Sequence, residues 1–254
     1  MFDPISLPVL LRLPRFAFAL VSTIVVVTSI QFMAPSVAPY LHHIGFSPGY
    51  IAVYFAIPAI LYAAGSLSIY LLTDRMQRRL VIFMGLLLES FGMYLLGTPS
   101  DLGKNSQVVM LLGAAFVGAS AGMVSIPAIP EMLDAIDAVE ELNLNPEELE
   151  NYISGVFVIC NGIGEALGPV LSSCLNEAYG FRAAQSIYAG LLLLYGLAYF
   201  VGVGHFAIFS APTQTTPGGP PKGPGSYVEQ IDEIHEKRRE PSAMIVCARN
   251  EREC

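Results

Sequence analysis

The sequence predicts an all-α membrane protein with six transmembrane helices. Of the 254 residues, 54% are hydrophobic and only 13% are charged, whereas about a quarter of the residues of a soluble globular protein are charged. No Asp, Glu, Lys or Arg occurs in the 58 residues from Phe16 to Thr73. Because a helix needs about 20 apolar residues to cross a bilayer, this stretch alone holds two spans.

Turn-forming residues divide the apolar sequence into spans of membrane length. Gly and Pro are the strongest of these punctuating residues. The fourth span is rich in glycine, which lets helices approach closely in lipid, and we expect Pro127 and Pro130 to end it. The expected spans are residues 16–40, 48–73, 80–96, 108–129, 152–175 and 183–206.

A polar stretch, residues 131–150, separates the fourth and fifth spans. It holds eight of the 21 acidic residues, so the net charge of −8 is local and indicates no nucleic-acid partner. We interpret it as a solvated loop that ends in a short helix, because residues 145–148, NPEE, are typical of a capped helix start. We place the six-helix domain at residues 1–209 and a flexible cytoplasmic tail, rich at first in Pro, Gly and Thr, at residues 210–254.

The densest basic cluster beside an apolar run is TDRMQRR, residues 73–79. Lys and Arg are retained on the cytoplasmic side during membrane insertion, so this turn should be cytoplasmic. Alternating the other loops from it places 11 of the 13 basic residues inside and leaves Lys104 and Arg182 outside. Both termini are then cytoplasmic.

The same turn carries a family resemblance. Residues 74–79, DRMQRR, resemble the D-R-x-G-R-R/K loop between the second and third helices of a six-helix repeat in major facilitator superfamily transporters, with Gln77 in place of the glycine. Residues 161–169, NGIGEALGP, and 179–182, YGFR, are similar to the C-terminal half of the vesicular amine and polyamine transporter branch. The resemblance implies half of a major facilitator fold and a cytoplasmic gate at Asp74, Arg75, Arg78 and Arg79.

Polar side chains within the spans are the candidate substrate- and proton-binding residues. Glu165 lies midway along the fifth span, where an uncompensated carboxylate is so unfavourable that it must hold a proton or pair with a cation. Asn161 lies one turn before it, and Gln31 is a polar residue of the first span. Tyr62 belongs to a tyrosine-rich stripe of the second span whose aromatic faces would attract an organic cation. Glu89 is the other mid-membrane carboxyl.

Each candidate also has a purely structural interpretation. Glu165 would be a neutral acid hydrogen-bonded to Asn161 or to a neighbouring helix. The stripe that contains Tyr62 would be ordinary helix packing. Glu89 would be a neutral acid against a neighbouring helix, since the resemblance places the third helix of a half at the periphery.

The function that the resemblance and these residues predict is transport by alternating access, in which a proton is exchanged for a small organic cation such as an amine or polyamine. The expected partners are the lipid bilayer, the cation, the proton, and a second six-helix half or a second copy of the chain. The expected location is an endomembrane such as a vesicle, and no motif for a cofactor or metal is present. The alternative is a non-transporting membrane protein that binds or regulates a partner.

A remote alternative is an intramembrane serine protease. Residues 118–122, GASAG, have the G-x-S-x-G form, and His205 lies in the sixth span. Ser120 should lie near mid-membrane and His205 at the cytoplasmic end, too far apart for the hydrogen bond that a serine–histidine pair requires. We therefore predict that the protein is not an enzyme.

Overall fold

The computed structural model describes residues 7–73, 76–97, 106–137 and 146–204, and these ranges are helical apart from short turns. A short helix precedes five long ones, and a π-helical turn, Phe200–Gly204, follows the last. Asp74, Arg75 and the tail from residue 205 onward lie outside the described residues. The helices are α1 (Leu7–Leu10), α2 (Pro14–His43), α3 (Pro48–Thr73), α4 (Arg78–Leu96), α5 (Ser106–Asp137) and α6 (Pro146–Tyr199).

The chain reverses direction within α6, at Gly180. A straight helix of its 54 residues would be about 80 Å long, far longer than the ~30 Å hydrocarbon layer of a membrane. Gly180 has φ 78° and ψ 165°, outside the helical region, a backbone conformation that is essentially restricted to glycine. It divides α6 into a first arm, residues 146–179, and a second arm, residues 181–199.

Contacts with α2 show that the two arms are antiparallel. Along the first arm, Gly164 lies against Ile24 and Gly168 lies against Thr28, so this arm runs parallel to α2. The second arm runs antiparallel to α2. Its contacts with α2 are Phe181 on Tyr40, Gln185 on Ser36, Tyr188 on Val25 and Tyr195 on Phe18.

Counting each arm once, the described residues hold six membrane-spanning segments. Five helices are long and apolar enough to cross a membrane, and the reversal in α6 supplies the sixth span. The predicted all-α, six-span architecture is confirmed.

Helix α2 lies at the centre of the bundle and contacts both arms of α6 and helix α5. Helix α4 packs between α5 and the second arm, which buries Leu86 and Met93. Helix α3 packs almost wholly on α5, and Tyr54 and Ile69 are the buried ones among its described side chains. Large faces of α3 and of the first arm are therefore exposed.

Glycine sets the spacing around α5, as the sequence predicted. A methyl group added at Gly118 would lie 2.5 Å from Pro58 Cα of α3. On another face of α5, a methyl group added at Gly113 would lie 2.8 Å from the carbonyl oxygen of Gly92 in α4. The backbones of two neighbouring helices thus pack directly against α5, and small residues permit such close approach in lipid.

The predicted end of the fourth span is wrong. Helix α5 continues through Pro127 and Pro130 to Asp137, so the first seven residues of the expected solvated loop are helical. Glu131 within this extension is buried. Proline removes a backbone hydrogen bond, but neighbouring helices compensate in membrane proteins, and here ion pairs from α2 and α4 hold the extension. The expected short helix near residue 146 is likewise continuous with the fifth span.

Candidate substrate and proton site

Glu165 lies on the exposed side of the first arm. Gly164, Gly168 and Ser172 recur every four residues and are buried, so they form the stripe that faces the bundle. Glu165 lies beside this stripe and is exposed, and Asn161, one turn earlier, is half-buried. The small residues expected to share one polar face with Glu165 are therefore the packing surface of the arm, and Glu165 lies at the exposed edge of that surface.

Gln31 borders the same region. A methyl group added at Gly168 would lie 2.5 Å from Gln31 Cβ and 2.8 Å from the carbonyl oxygen of Thr28. Gly168 is one turn after Glu165, and Gln31 is half-buried at that contact. The structure thus brings Glu165, Asn161 and Gln31 to one edge of the α2–first arm contact.

Tyr62 belongs to a different part of the exposed surface. Its side chain is 39% exposed, and its backbone carbonyl adjoins Gly122 of α5. Because α3 packs on α5 and the first arm packs on α2, the described contacts do not join Tyr62 to the Glu165 group.

Glu89 is sealed inside the bundle, with 0% of its surface exposed. Its Oε2 lies 3.4 Å from the hydroxyl of Ser120 in α5. Its Oε1 has no hydrogen-bond partner among the described residues. The two candidate carboxyls therefore occupy different environments: Glu165 on an open face and Glu89 in the core.

A group of ion pairs joins three helix ends. Arg15 at the start of α2 and Arg79 at the start of α4 bind the same Glu131 oxygen, at 2.9 and 3.0 Å. Arg78 pairs with Asp134 one turn further along α5. Of the residues assigned to the gate, Arg78 and Arg79 are thus engaged with α5, and Asp74 and Arg75 lie outside the described residues.

Glu131 and Asp134 were missed as members of this group. Their spacing of three residues places both on one helix face, and this spacing was the available signal. It was hidden by the expectation that α5 ends at the prolines.

Among the described residues, Ser120 has none of the neighbours that a serine protease needs. Its hydroxyl is buried between Glu89 and the carbonyl oxygen of Val117, which lies 2.9 Å away. His205, the other residue of that alternative, lies outside the described residues.

Comparison with known proteins assigns the family. Residues 19–242 match the Major Facilitator Superfamily. The chain belongs to this superfamily. The major facilitator superfamily is a family of transporters rather than enzymes, and its members are integral membrane proteins with several spans, in agreement with the helices described above.

Two similar proteins are themselves named as transporters. The chain is 29% identical over 199 residues to the MFS-type transporter SLC18B1 of Rattus norvegicus, covering 74% of this chain and 42% of that protein. It is 33% identical over 172 residues to the protein of the same name from Homo sapiens, covering 66% of this chain and 37% of that protein. The matches agree with the resemblance to a partial transporter of the vesicular amine-like branch. The chain spans less than half the length of the relatives it matches.

Proposed function

We propose that this chain is one six-helix unit of a major facilitator transporter that exchanges a proton for a small organic cation, such as an amine or polyamine, by alternating access. Glu165 binds the cation, with Asn161 and Gln31 beside it. Tyr62 contributes an aromatic face from α3 when the second six-helix unit closes the cavity.

The observation that carries this proposal is the exposure of Glu165 midway along a membrane span. A carboxyl facing lipid at this depth is strongly unfavourable, and Ile163 and Leu167 on either side of it are also exposed. A face that combines large apolar side chains with one carboxyl suits a partner surface that encloses a water-filled cavity. A second six-helix half or a second copy of this chain would supply that surface.

The length of the relatives supports a second unit. The aligned part covers 42% of the rat transporter, so the remainder is long enough for another six helices. Helices of this family are organised in repeated units around a central site near the bilayer midplane. Glu165 lies at that depth in the first arm.

The ion pairs of Glu131 and Asp134 suit the cytoplasmic gate. They join the starts of α2 and α4 to the end of α5, the side on which basic residues are retained during insertion. In this proposal both termini are cytoplasmic, and the protein resides in a vesicle or other endomembrane.

The test is uptake of radiolabelled spermidine into membrane vesicles that contain the full chain and have an acidic interior. Glu165→Gln should abolish uptake that depends on the proton gradient. Glu177→Gln is the matched control, because Glu177 is an exposed glutamate near the end of the same arm, and it should leave uptake unchanged. Equal uptake by the Glu165→Gln variant and the unaltered chain would show that the carboxyl has no part in transport.

In the non-transporting alternative, the same exposed face binds a partner, and no proton gradient is involved. Cysteine crosslinking from position 163 in native membranes separates the two functions. A crosslink to a six-helix partner, together with gradient-driven uptake, supports transport. A crosslink to another class of membrane protein, with no uptake, supports a regulatory role.

A further inference from the structure

Four segments meet around Glu89 in the middle of the bundle. Ser120 of α5 contacts the carboxyl at 3.4 Å. Ser29 of α2 is close enough to influence it electrostatically, and the hydroxyl of Tyr188 in the second arm lies 3.3 Å from Ser29 Oγ. Glu89 itself is fully buried. The cluster is separate from the exposed Glu165 group and belongs entirely to this six-helix unit.

Each hydroxyl group around Glu89 also has a backbone carbonyl within hydrogen-bond distance, and that carbonyl competes for the single hydroxyl hydrogen. Ser120 Oγ lies 2.9 Å from the carbonyl oxygen of Val117, and Ser29 Oγ lies 3.0 Å from that of Val25. Tyr188 donates to the Val25 carbonyl as well, at 3.2 Å. A hydroxyl has one hydrogen and a backbone carbonyl can only accept, so Ser120 Oγ can donate either to Glu89 Oε2 at 3.4 Å or to the nearer Val117 carbonyl.

An ionised Glu89 would therefore have to compete with the Val117 carbonyl for the Ser120 hydrogen. A protonated Glu89 fits the same contacts, because its O–H at Oε2 can donate to Ser120 Oγ. The other oxygen, Oε1, is then a carbonyl oxygen without a donor, and this is the atom left without a partner. Complete burial and an oxygen without a donor favour the carboxylic acid over the carboxylate.

No basic side chain is placed to pair with Glu89 in the described part of the bundle. Arg79 begins the same helix, ten residues earlier, which is about 15 Å along the axis. Arg15, Arg78 and Arg79 are engaged by acidic residues of α5. Arg182 lies near the start of the second arm and donates to the Tyr40 hydroxyl.

The remaining titratable groups of the surrounding elements are also remote or neutral. Residues 48–73 of α3 and 200–204 of the π-helical turn contain no Asp, Glu, Lys, Arg or His. On α2, His42 and His43 occupy the last turn. The only titratable side chain that the second arm brings beside Ser29 in the described structure is the phenol of Tyr188.

We propose that Glu89 is a proton-binding site sealed inside the six-helix unit, and that it takes a proton but not the organic cation. The site has no exposed surface through which a larger cation could enter, and Ser120 Oγ, 3.4 Å from Oε2, can accept the hydrogen of a protonated carboxyl. The division of labour between Glu89 as proton site and Glu165 as cation site rests on the transport function proposed above. The protonation of Glu89 does not.

Infrared spectroscopy of the full chain in lipid nanodiscs tests the site directly. A carboxylic acid has a C=O stretch that a carboxylate lacks, and an acid carbonyl without a donor absorbs at the high-frequency end of that range. We expect such a band to persist from mildly acidic to mildly alkaline buffer and to disappear in the Glu89→Gln variant. The Glu165→Gln variant should keep it. Absence of the band, or a band that survives Glu89→Gln, would overturn the proposal.

A second variant keeps the carboxyl and changes its partner. Ser120→Ala removes the oxygen that accepts the Glu89 hydrogen, so the acid band should shift in frequency, and an unshifted band would contradict the assignment. Uptake assays then test the role in exchange: Glu89→Gln should retain spermidine exchange without a gradient and lose gradient-driven accumulation. A chain that transports nothing but shows the Glu89 band would refute the transport function and leave the proton site standing.

Discussion

Arg79 donates a hydrogen bond to Glu131 across 3.0 Å, joining the first turn of α4 to the extension of α5. Arg15 of α2 binds the same carboxylate oxygen, so a single acidic side chain holds three helix ends together. The Glu131 side chain is only 3% exposed. Charge-assisted hydrogen bonds to a buried group contribute more to stability than exposed pairs do.

Replacing Glu131 with Gln should lower the stability of the bundle markedly. The substitution leaves two guanidinium groups without an anion, for a loss of about 3 kcal/mol, read as a lower midpoint of thermal unfolding in detergent. Asp134→Asn is the matched control, because the Arg78–Asp134 pair is about one third exposed on both sides and should cost less than about 1 kcal/mol. Equal losses in the two variants would contradict the central position of Glu131.

Gly118 should tolerate no side chain. A methyl group there would meet Pro58 of α3 at its Cα and carbonyl group, and backbone atoms cannot move aside as a flexible side chain can. We expect Gly118→Ala to destabilise the bundle by about 1–3 kcal/mol or more and to weaken crosslinking between cysteines placed on α3 and α5.

The control for that substitution lies one turn further along α5. A methyl group added at Gly122 would have its nearest neighbours at 3.4 Å and beyond, an ordinary van der Waals distance. Gly122→Ala should therefore leave both the unfolding midpoint and the α3–α5 crosslink close to those of the unaltered protein. If both glycine variants behaved alike, the close approach of Pro58 to Gly118 would be wrong.

The sequence predicted the span number and the bounds of α3 well, because length and apolarity in lipid decide them locally. It could not predict that α5 runs on past Pro130. That extension depends on Arg15 and Arg79, which reach Glu131 from 116 and 52 residues away. A helical period also shows which residues share a face but not which helix covers that face. By sequence, Glu165 and Glu89 are therefore both carboxyls in the middle of a span, whereas the structure places Glu165 on an exposed face and Glu89 in the core.

Gly180 should be needed for the reversal between the two arms. Its φ of 78° and ψ of 165° lie in a region that strains any other residue by about 1–3 kcal/mol. We expect Gly180→Ala to lower the unfolding midpoint by the corresponding amount. Gly190 in the second arm has open space around it and helical geometry, so Gly190→Ala should be neutral or slightly stabilising. A Gly180→Ala variant as stable as Gly190→Ala would rule out this backbone conformation.

Gly168 should control how closely the first arm, and with it Glu165, approaches α2. A methyl group at this position would lie 2.5 Å from Gln31 Cβ and 2.8 Å from the Thr28 carbonyl oxygen. The Thr28 backbone cannot yield, so Gly168→Ala must displace the arm, at a cost of about 1–3 kcal/mol. The readout is the unfolding midpoint together with the distance between spin labels on α2 and the first arm.

Gly162→Ala is the control on the same arm, since no atom lies within 4 Å of a methyl group there. An increased label separation confined to Gly168→Ala would tie the position of Glu165 to this one contact, whereas the same separation in both variants would mean that the arm is held elsewhere.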